Sequence, residues 1–182
     1  MKIMSFNCRG LARPEKKLAF CQLVGTNSLD LIFLQETLGP AVNIPLSLEH
    51  MLPGWKFTGL GAHGRFGGLA LGYNTCSIKL LSSWGGVGFI GANIHSADLG
   101  MSFRIINIYG PCHNRLEFWE HLLGLALFSV DHLILGGHLN FSIGHSESWG
   151  HRAQRDPLSD YFLNTLESFH LIDIPRAKIQ AT

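Results

Sequence analysis

Four short segments of the sequence end an apolar, strand-like run with polar side chains. They are FNCRG, LQET, NIYGP and GGHLN, and they contain Asn7, Glu36, Tyr109, His138 and Asn140. The ends of neighbouring strands converge in space, and ligand sites are concave places where a few polar groups meet. For any one segment, a polar residue emerging into water is the simpler account. Four such segments together favour a shared site.

The chemistry that these residue types support is metal-assisted attack of water on a phosphoryl group. Mg²⁺ prefers oxygen ligands and keeps several of its waters, so Glu36 could hold the ion while Asn7 adds an oxygen or orients a bound group. Tyr109 and Asn140 could donate hydrogen bonds to phosphate oxygens as charge develops. His138 stands where a base for the water is needed, and an imidazole of ordinary pKa, about 6.5, accepts a proton near neutrality.

The alternation of side chains along a strand predicts which of these residues point the same way. Asn7 should face away from Cys8, and Tyr109 should share a face with Asn107. By the same period Glu36 should share a face with Leu34.

The rest of the sequence predicts the elements that must position these side chains. Seven apolar runs have the lengths of strands: residues 2–8, 29–35, 69–73, 77–81, 89–95, 103–109 and 132–135. Three helices are predicted, one opened by Pro14, one after a capping-box pattern at Asn114 and one capped by Asp156. No helical pattern separates the paired runs within 69–81 and within 89–109, which favours antiparallel hairpins and a mixed α/β layered domain.

Composition places the chain among folded proteins. Of its 182 residues 46% are hydrophobic and 15% charged, which is typical of one globular domain, here residues 1–182. The four cysteines are scattered, and neither a signal-like segment nor a membrane-spanning apolar run occurs. We therefore expect a soluble intracellular protein of the nucleus or cytoplasm with no membrane partner.

The charge balance restricts how nucleic acid could be bound. Fourteen Lys and Arg against thirteen Asp and Glu give a formal charge of +1, so no field over the whole surface would attract a polyanion. Any such contact must be local. Arg9, Arg13, Lys16 and Lys17 form a small basic cluster, although a solvated helix face is its simpler explanation.

A family resemblance rests on the order of these segments. FNCRG, LQET, GGLALGYN, IYGP and GGHLN, with LIDI near the end, resemble the endonuclease/exonuclease/phosphatase superfamily, and NCRGL before a short helix is most similar to endonuclease domains of plant LINE-type (non-LTR) retrotransposons. The resemblance implies an α/β fold, a mixed β-sandwich flanked by helices in four α/β/β/α layers as in DNase I. It also implies cleavage of phosphodiester bonds with Mg²⁺ or Mn²⁺, in nucleic acid, with DNA favoured over RNA, or in another phosphodiester.

The resemblance assigns roles residue by residue. Asn7 matches the family's first-strand asparagine and Glu36 its metal-binding glutamate, so both are expected at the metal. Tyr109 matches the phosphate-contacting tyrosine, and Asn140 the asparagine of the Gly-Asp-Phe-Asn motif. His138 stands where that motif has aspartate. Asn7, Tyr109, His138 and Asn140 are therefore the expected catalytic residues.

Two departures from the family pattern predict weakened or absent activity. His138 removes a negative charge from the site, and a poorly placed base could forfeit most of a contribution of about 10²- to 10⁴-fold. The family's Ser-Asp-His motif does not occur in the sequence. The resemblance therefore predicts a domain that is incomplete at its C-terminus and lacks its last strands.

Other sites have weaker support. A zinc site built from His138, His145 and His151 lacks helical HxxxH or HExxH spacing. The glycines of residues 85–88 favour a hairpin turn, because no GK[ST] or GxGxxG pattern accompanies them.

Three functions remain open: an active metal-dependent nuclease or phosphodiesterase, a silent retroelement remnant, and a non-catalytic nucleic-acid-binding module.

Overall fold

The protein folds into two four-stranded sheets packed face to face, with helices on both outer faces. A computed structural model describes residues 1–41, 43–62, 67–144 and 155–174. This architecture confirms the predicted four-layer, DNase I-like α/β sandwich. Within the described residues, no helix is long and apolar enough to cross a membrane.

The first sheet has the strand order β1-β2-β4-β3. Its strands are β1 (Ile3–Asn7), β2 (Leu31–Gln35), β3 (Trp55–Leu60) and β4 (Leu69–Asn74). β1 and β2 are parallel, which requires a crossover, and helix α1 (Pro14–Asn27) supplies it. Helix α2 (Asn43–Met51) precedes β3, and β4 runs antiparallel to both of its neighbours.

The second sheet has the strand order β5-β6-β7-β8. Its strands are β5 (Ile78–Gly86), β6 (Phe89–Ser96), β7 (Met101–Tyr109) and β8 (Leu133–His138). β5, β6 and β7 form an antiparallel meander, and β8 is parallel to β7 after the crossover through helix α3 (Arg115–Gly124). Helix α4 (Ser159–Ser168) follows β8.

Three apolar cores separate the four layers. Ile32 and Leu34 of β2 pack under α1 and α2, whereas Leu31 and Phe33 of the same strand pack against the second sheet. β2 is therefore buried on both faces, as its continuous apolar sequence LIFLQ requires. The third core joins the outer face of β7 to α3 and α4 through Trp119.

All seven predicted strands are confirmed, but one strand and one helix were missed and one predicted hairpin is wrong. β3 and helix α2 were missed, although Trp55 and Phe57 alternate with polar residues and Ile44 and Leu48 lie one helical turn apart, because both segments are short. The predicted hairpin within residues 69–81 is wrong, since β4 and β5 belong to different sheets. The hairpin within 89–109 and the turn at residues 85–88 are confirmed.

The helix starts differ in detail from the predictions. α1 begins at Pro14 as predicted. Asn114 precedes α3 in a left-handed conformation, φ 53°, and its side chain makes no capping bond, so the predicted capping box does not form. α4 begins at Ser159, later than predicted, and Asp156 instead accepts a hydrogen bond of 2.9 Å from the Leu158 N–H in the preceding turn.

Candidate active site

Two pairs of parallel strands end side by side at one end of the sandwich. β1 and β2 end with Asn7 opposite Gln35, and β7 and β8 end with Tyr109 opposite His138. Glu36 follows β2 directly, and the Tyr109 hydroxyl reaches it from the other sheet. The strand ends predicted to converge therefore do so.

The Glu36 carboxylate accepts hydrogen bonds from a residue of each sheet. Its Oε1 accepts a hydrogen bond of 2.7 Å from Nδ2 of Asn7 and one of 3.0 Å from the Tyr109 hydroxyl. Hydrogen bonds to a charged acceptor are about twice as strong as neutral ones, so these contacts fix the carboxylate. Burial, followed by the hydrogen bond to Glu36 and its negative charge, raises the pKa of Tyr109 to about 12. The phenol therefore stays protonated at neutral pH.

The backbone at Glu36 breaks the alternation of β2. Leu34 lies in the core under the helices, whereas Glu36 contacts Asn7 and Tyr109, so the prediction that Glu36 and Leu34 share a face is wrong. The reason is a left-handed conformation at Glu36, φ 54°, which an L-residue rarely adopts. The Gly10 N–H donates to the Glu36 carbonyl at 2.6 Å and holds this turn against the loop after β1.

His138 and Asn140 reach the same end of the sandwich from β8. The imidazole of His138 stacks on the Tyr109 ring, with ring centroids 5.8 Å apart and planes 24° apart. Asn140 adopts a left-handed conformation, φ 56°, and its amide donates a hydrogen bond to the Gly110 carbonyl. Of the five predicted residues, Asn7, Glu36 and Tyr109 are in direct hydrogen-bonding contact, and His138 joins them through the Tyr109 ring.

An ion pair that the sequence analysis missed supports the Asn140 loop. Arg115, the first residue of α3, donates at 2.6 and 2.9 Å to the two carboxylate oxygens of Asp156 and at 2.9 Å to the Asn140 carbonyl. Burial alone would raise the pKa of Asp156, but the hydrogen bonds from Arg115 and the Leu158 N–H lower it below its ordinary value. A signal was present, because a cation in the first turn of a helix opposes the helix dipole and needs a partner.

A buried polar network, also missed, joins the strands behind the site. Gln35 Nε2 donates to Asn107 Oδ1 at 2.7 Å and to Ser5 Oγ at 3.2 Å. Asn107 Nδ2 donates to the carbonyls of Leu34 and Ala70, both at 3.0 Å. Asn107 lies on the face of β7 that meets the first sheet, as does Tyr109, which confirms their predicted common face. The sequence signal that could have identified these residues is a polar side chain at a strand position that alternation points into the core.

The sequence itself identifies the family. Residues 4–168 match the sequence model of the Endonuclease/Exonuclease/phosphatase family. The chain belongs to this family. Among curated protein sequences, none matches significantly.

Several solved structures share the fold at low sequence identity. An AP endonuclease from Archaeoglobus fulgidus has a TM-score of 0.70 and 18% identity over 92% of this chain and 70% of its own. The endonuclease domain of TRAS1, a telomere-specific non-LTR retrotransposon, has a TM-score of 0.64 and 15% identity over 92% and 71%. D. rerio TDP2 complexed with single strand DNA product has a TM-score of 0.60 and 14% identity over 77% of this chain. The chain spans only 60% of the length of this TDP2 structure.

The donor set fits a divalent cation held by a single protein carboxylate. In the described part of the chain no ion pair involves Glu36, so its charge has no cationic side-chain partner. Asn7 Oδ1 lies in the same cluster and accepts the Arg9 N–H at 3.2 Å. Mg²⁺ is commonly bound through one or two carboxylates plus waters and phosphates. Among the described residues, no three or more His, Cys, Asp or Glu side chains cluster so that they could hold a metal ion, and His145 and His151 of the candidate zinc site lie outside those residues.

Proposed function

We propose that this endonuclease/exonuclease/phosphatase domain, comprising residues 1–182, is a divalent-metal-dependent phosphodiester hydrolase with reduced activity. The observation that carries the proposal is the Glu36 carboxylate, which is held by Asn7 and Tyr109 and has no cationic partner among the described residues. The Glu36 carboxylate is negative and its two hydrogen-bond donors are neutral, so it can bind a cation where the two sheets meet.

Each residue of the site has a distinct task in this proposal. Glu36 and Asn7 would hold Mg²⁺ or Mn²⁺, which neutralises phosphate charge and lowers the pKa of bound water. Tyr109 would turn its single O–H from Glu36 Oε1, to which it donates at 3.0 Å, to a phosphate oxygen once a cation neutralises that carboxylate. Asn140, whose amide donates to the Gly110 carbonyl and whose backbone carbonyl accepts from Arg115, would donate its second amide N–H to a phosphate oxygen.

His138 is the expected cause of reduced activity. It occupies the position of the family's aspartate and lies against Tyr109, so it can accept a proton close to the phosphate. An imidazole is longer than a carboxylate and brings no negative charge, and misplacement of a base forfeits part of the usual contribution of about 10²- to 10⁴-fold.

We propose nucleic acid as the substrate, with DNA favoured over RNA. Among the fold neighbours, D. rerio TDP2 is complexed with single strand DNA product and TRAS1 is a non-LTR retrotransposon. These neighbours and the NCRGL segment support an origin in a LINE-type element, of a plant by resemblance, acting in the nucleus or cytoplasm. The alternative is a non-catalytic remnant or a nucleic-acid-binding module, and the histidine at position 138 favours it.

Cleavage of a supercoiled plasmid and of a duplex with one abasic site, in Mg²⁺, tests the proposal. The natural chain is compared with Glu36→Ala, with His138→Asp and with Glu167→Ala, which removes an exposed carboxylate on α4 as a matched control. We expect slow cleavage by the natural chain and the control, none by Glu36→Ala and faster cleavage by His138→Asp. Inactivity of both the natural chain and His138→Asp, with both folded, would overturn the hydrolase proposal in favour of the non-catalytic alternative.

A further inference from the structure

Leu38 is an exposed apolar residue two positions after Glu36. It has 55% of its surface exposed, and its backbone is left-handed with φ 50°. Among the described non-glycine residues with a positive φ, the only other apolar one is Ala126, and the rest are polar. A left-handed conformation is unusual for a bulky side chain, and such strain concentrates at functional sites. Neither the exposure nor the backbone angle favours leucine at this position.

The backbone holds Leu38 in this conformation from both sides. The Leu38 N–H donates to the Gly67 carbonyl at 2.7 Å, and the Thr37 N–H donates to the Gly68 carbonyl at 3.3 Å. On the other side, the Leu11 N–H donates to the Thr37 carbonyl at 3.1 Å. Thr37 itself is buried. The exposed leucine is therefore displayed from a fixed support between the loop after β1 and the start of β4.

The Leu38 side chain lies beside the candidate active site. A Cβ added to Gly67 would lie 3.0 Å from Leu38 Cδ2, 3.1 Å from Glu36 Cα and 3.2 Å from Glu36 Cγ. A Cβ added to Gly10 would lie 3.3 Å from Leu38 Cδ1, and the Gly10 N–H donates to the Glu36 carbonyl. The two glycines thus leave the space that Leu38 occupies. A group bound at the Glu36 carboxylate would have this apolar side chain next to it.

We propose that Leu38 packs on the face of the nucleobase adjacent to the phosphate that binds at Glu36. The inference rests on the proposed function and deepens it, because the substrate must then carry a flat apolar group beside the reacting phosphate. A nucleic-acid base supplies such a face, whatever its sequence, and apolar side chains contact bases in this way in other proteins. The contact would remove from water the part of Leu38 that the fold leaves exposed.

The test compares two fluorescein-labelled single-stranded DNA oligonucleotides of equal length, one with bases and one built wholly from abasic nucleotides. Binding is followed by anisotropy in Ca²⁺, and a denaturing gel checks that the strands stay intact. Leu38→Ala should weaken binding of the base-bearing strand about 5- to 10-fold, the loss expected when about half a leucine side chain is no longer buried. Binding of the abasic strand should not change. The loss should be the same factor at every salt concentration, because no phosphate contact is removed.

Three further variants separate a lost contact from a disturbed turn. The matched control Leu163→Ala removes a side chain that is 42% exposed on α4, and it should bind both strands as the natural chain does. Leu38→Met keeps an apolar side chain and should retain most of the affinity for the base-bearing strand. Leu38→Asn should melt no lower than Leu38→Ala, because asparagine adopts the left-handed conformation more readily, and should bind the bases as weakly.

Three results would overturn the inference. They are an equal loss of affinity for both strands in Leu38→Ala, tight binding of the base-bearing strand by Leu38→Asn, and no preference of the natural chain for the base-bearing strand. Cleavage in Mg²⁺ by a chain whose binding does not depend on Leu38 would refute the inference alone. Base-dependent binding through Leu38, without cleavage by the natural chain or His138→Asp, would refute the hydrolase proposal alone.

Discussion

Gln35 Nε2 donates a 2.7 Å hydrogen bond to Asn107 Oδ1 across the space between the two sheets. Both side chains are buried, with 1% and 0% of their surface exposed. Gln35 directly precedes Glu36, and Asn107 lies two residues before Tyr109, so this bond sets the relative position of the strands that carry the site. The Glu36 to Tyr109 contact depends on that alignment.

Asn107→Ala should lower the free energy of unfolding by about 3 kcal/mol. The substitution removes one of the two acceptors of Gln35 Nε2 and the side-chain donor to the carbonyls of Leu34 and Ala70, and a buried group left unsatisfied costs about 1–3 kcal/mol. Urea unfolding followed by circular dichroism measures the change. Asn164→Ala, at an exposed position in α4, should change stability by less than about 0.5 kcal/mol. A cost for Asn107→Ala as small as that of the control would contradict the importance of the network.

Breaking the Arg115 to Asp156 pair should cost far more than breaking an exposed pair. Their side chains are 21% and 11% exposed, and Arg115 also holds the Asn140 carbonyl, so Arg115→Gln should destabilise by about 2 kcal/mol. Arg155→Gln breaks the Arg155 to Asp160 pair, whose side chains are 48% and 75% exposed, and should cost less than about 1 kcal/mol. Chemical denaturation of both variants in the same buffer makes the comparison. Equal costs would show that the buried pair has no special role.

Acid should destabilise the fold partly through Asp156. Its pKa is lower in the folded protein than in the unfolded chain, so the unfolded chain takes up a proton first as the pH falls. The stability contributed by Asp156 is therefore complete above its ordinary pKa of about 3.9 and is lost as the pH falls from there through the folded pKa. Unfolding free energies between pH 6 and pH 3 should fall less steeply for Asp156→Asn than for the natural chain. Parallel curves would contradict the assignment.

If the protein cleaves phosphodiesters as proposed, Tyr109→Phe should reduce the rate about 10²- to 10³-fold, the usual effect of removing one donor to developing charge. The substitution removes the hydroxyl that contacts Glu36 and keeps the ring that stacks on His138. The control is Tyr73→Phe, because Tyr73 lies at the other end of the sandwich, opposite Leu31 at the start of β2. Plasmid cleavage at saturating Mg²⁺ provides the rates, and similar rates for the two variants would exclude a role for the Tyr109 hydroxyl.

Gly137→Ala should destabilise the fold by more than about 3 kcal/mol. Gly137 directly precedes His138 in β8 and has φ 138°. A Cβ added to it would lie 1.9 Å from the carbonyl oxygen of Ile108 in the neighbouring strand β7. Gly25→Ala provides the opposite case, because Gly25 lies inside α1 with nothing within 4 Å of an added Cβ. That variant should be stabilised by about 0.5–1 kcal/mol. Thermal melts of the two variants should therefore shift in opposite directions.

The sequence by itself determined the layered α/β class and the identity of the five candidate residues. Apolar runs of strand length and helices between them are local patterns, and polar residues at strand ends are visible because each interrupts such a run. The convergence of Asn7, Glu36 and Tyr109 followed from the same reasoning, since strands of one sandwich end close together. Their catalytic roles remain predictions.

Only the tertiary structure decided how the strands are distributed and what holds the site. β4 and β5 are neighbours in sequence but pair in different sheets, because strand pairing depends on contacts between distant residues and not on the local period. The left-handed turn at Glu36 reverses the face expected from alternation, since it is stabilised by the Gly10 N–H from another segment. The partners of Arg115 and Asn107 lie 41 and 72 residues away in sequence, and hydrogen bonds over such separations exist only once the chain has folded.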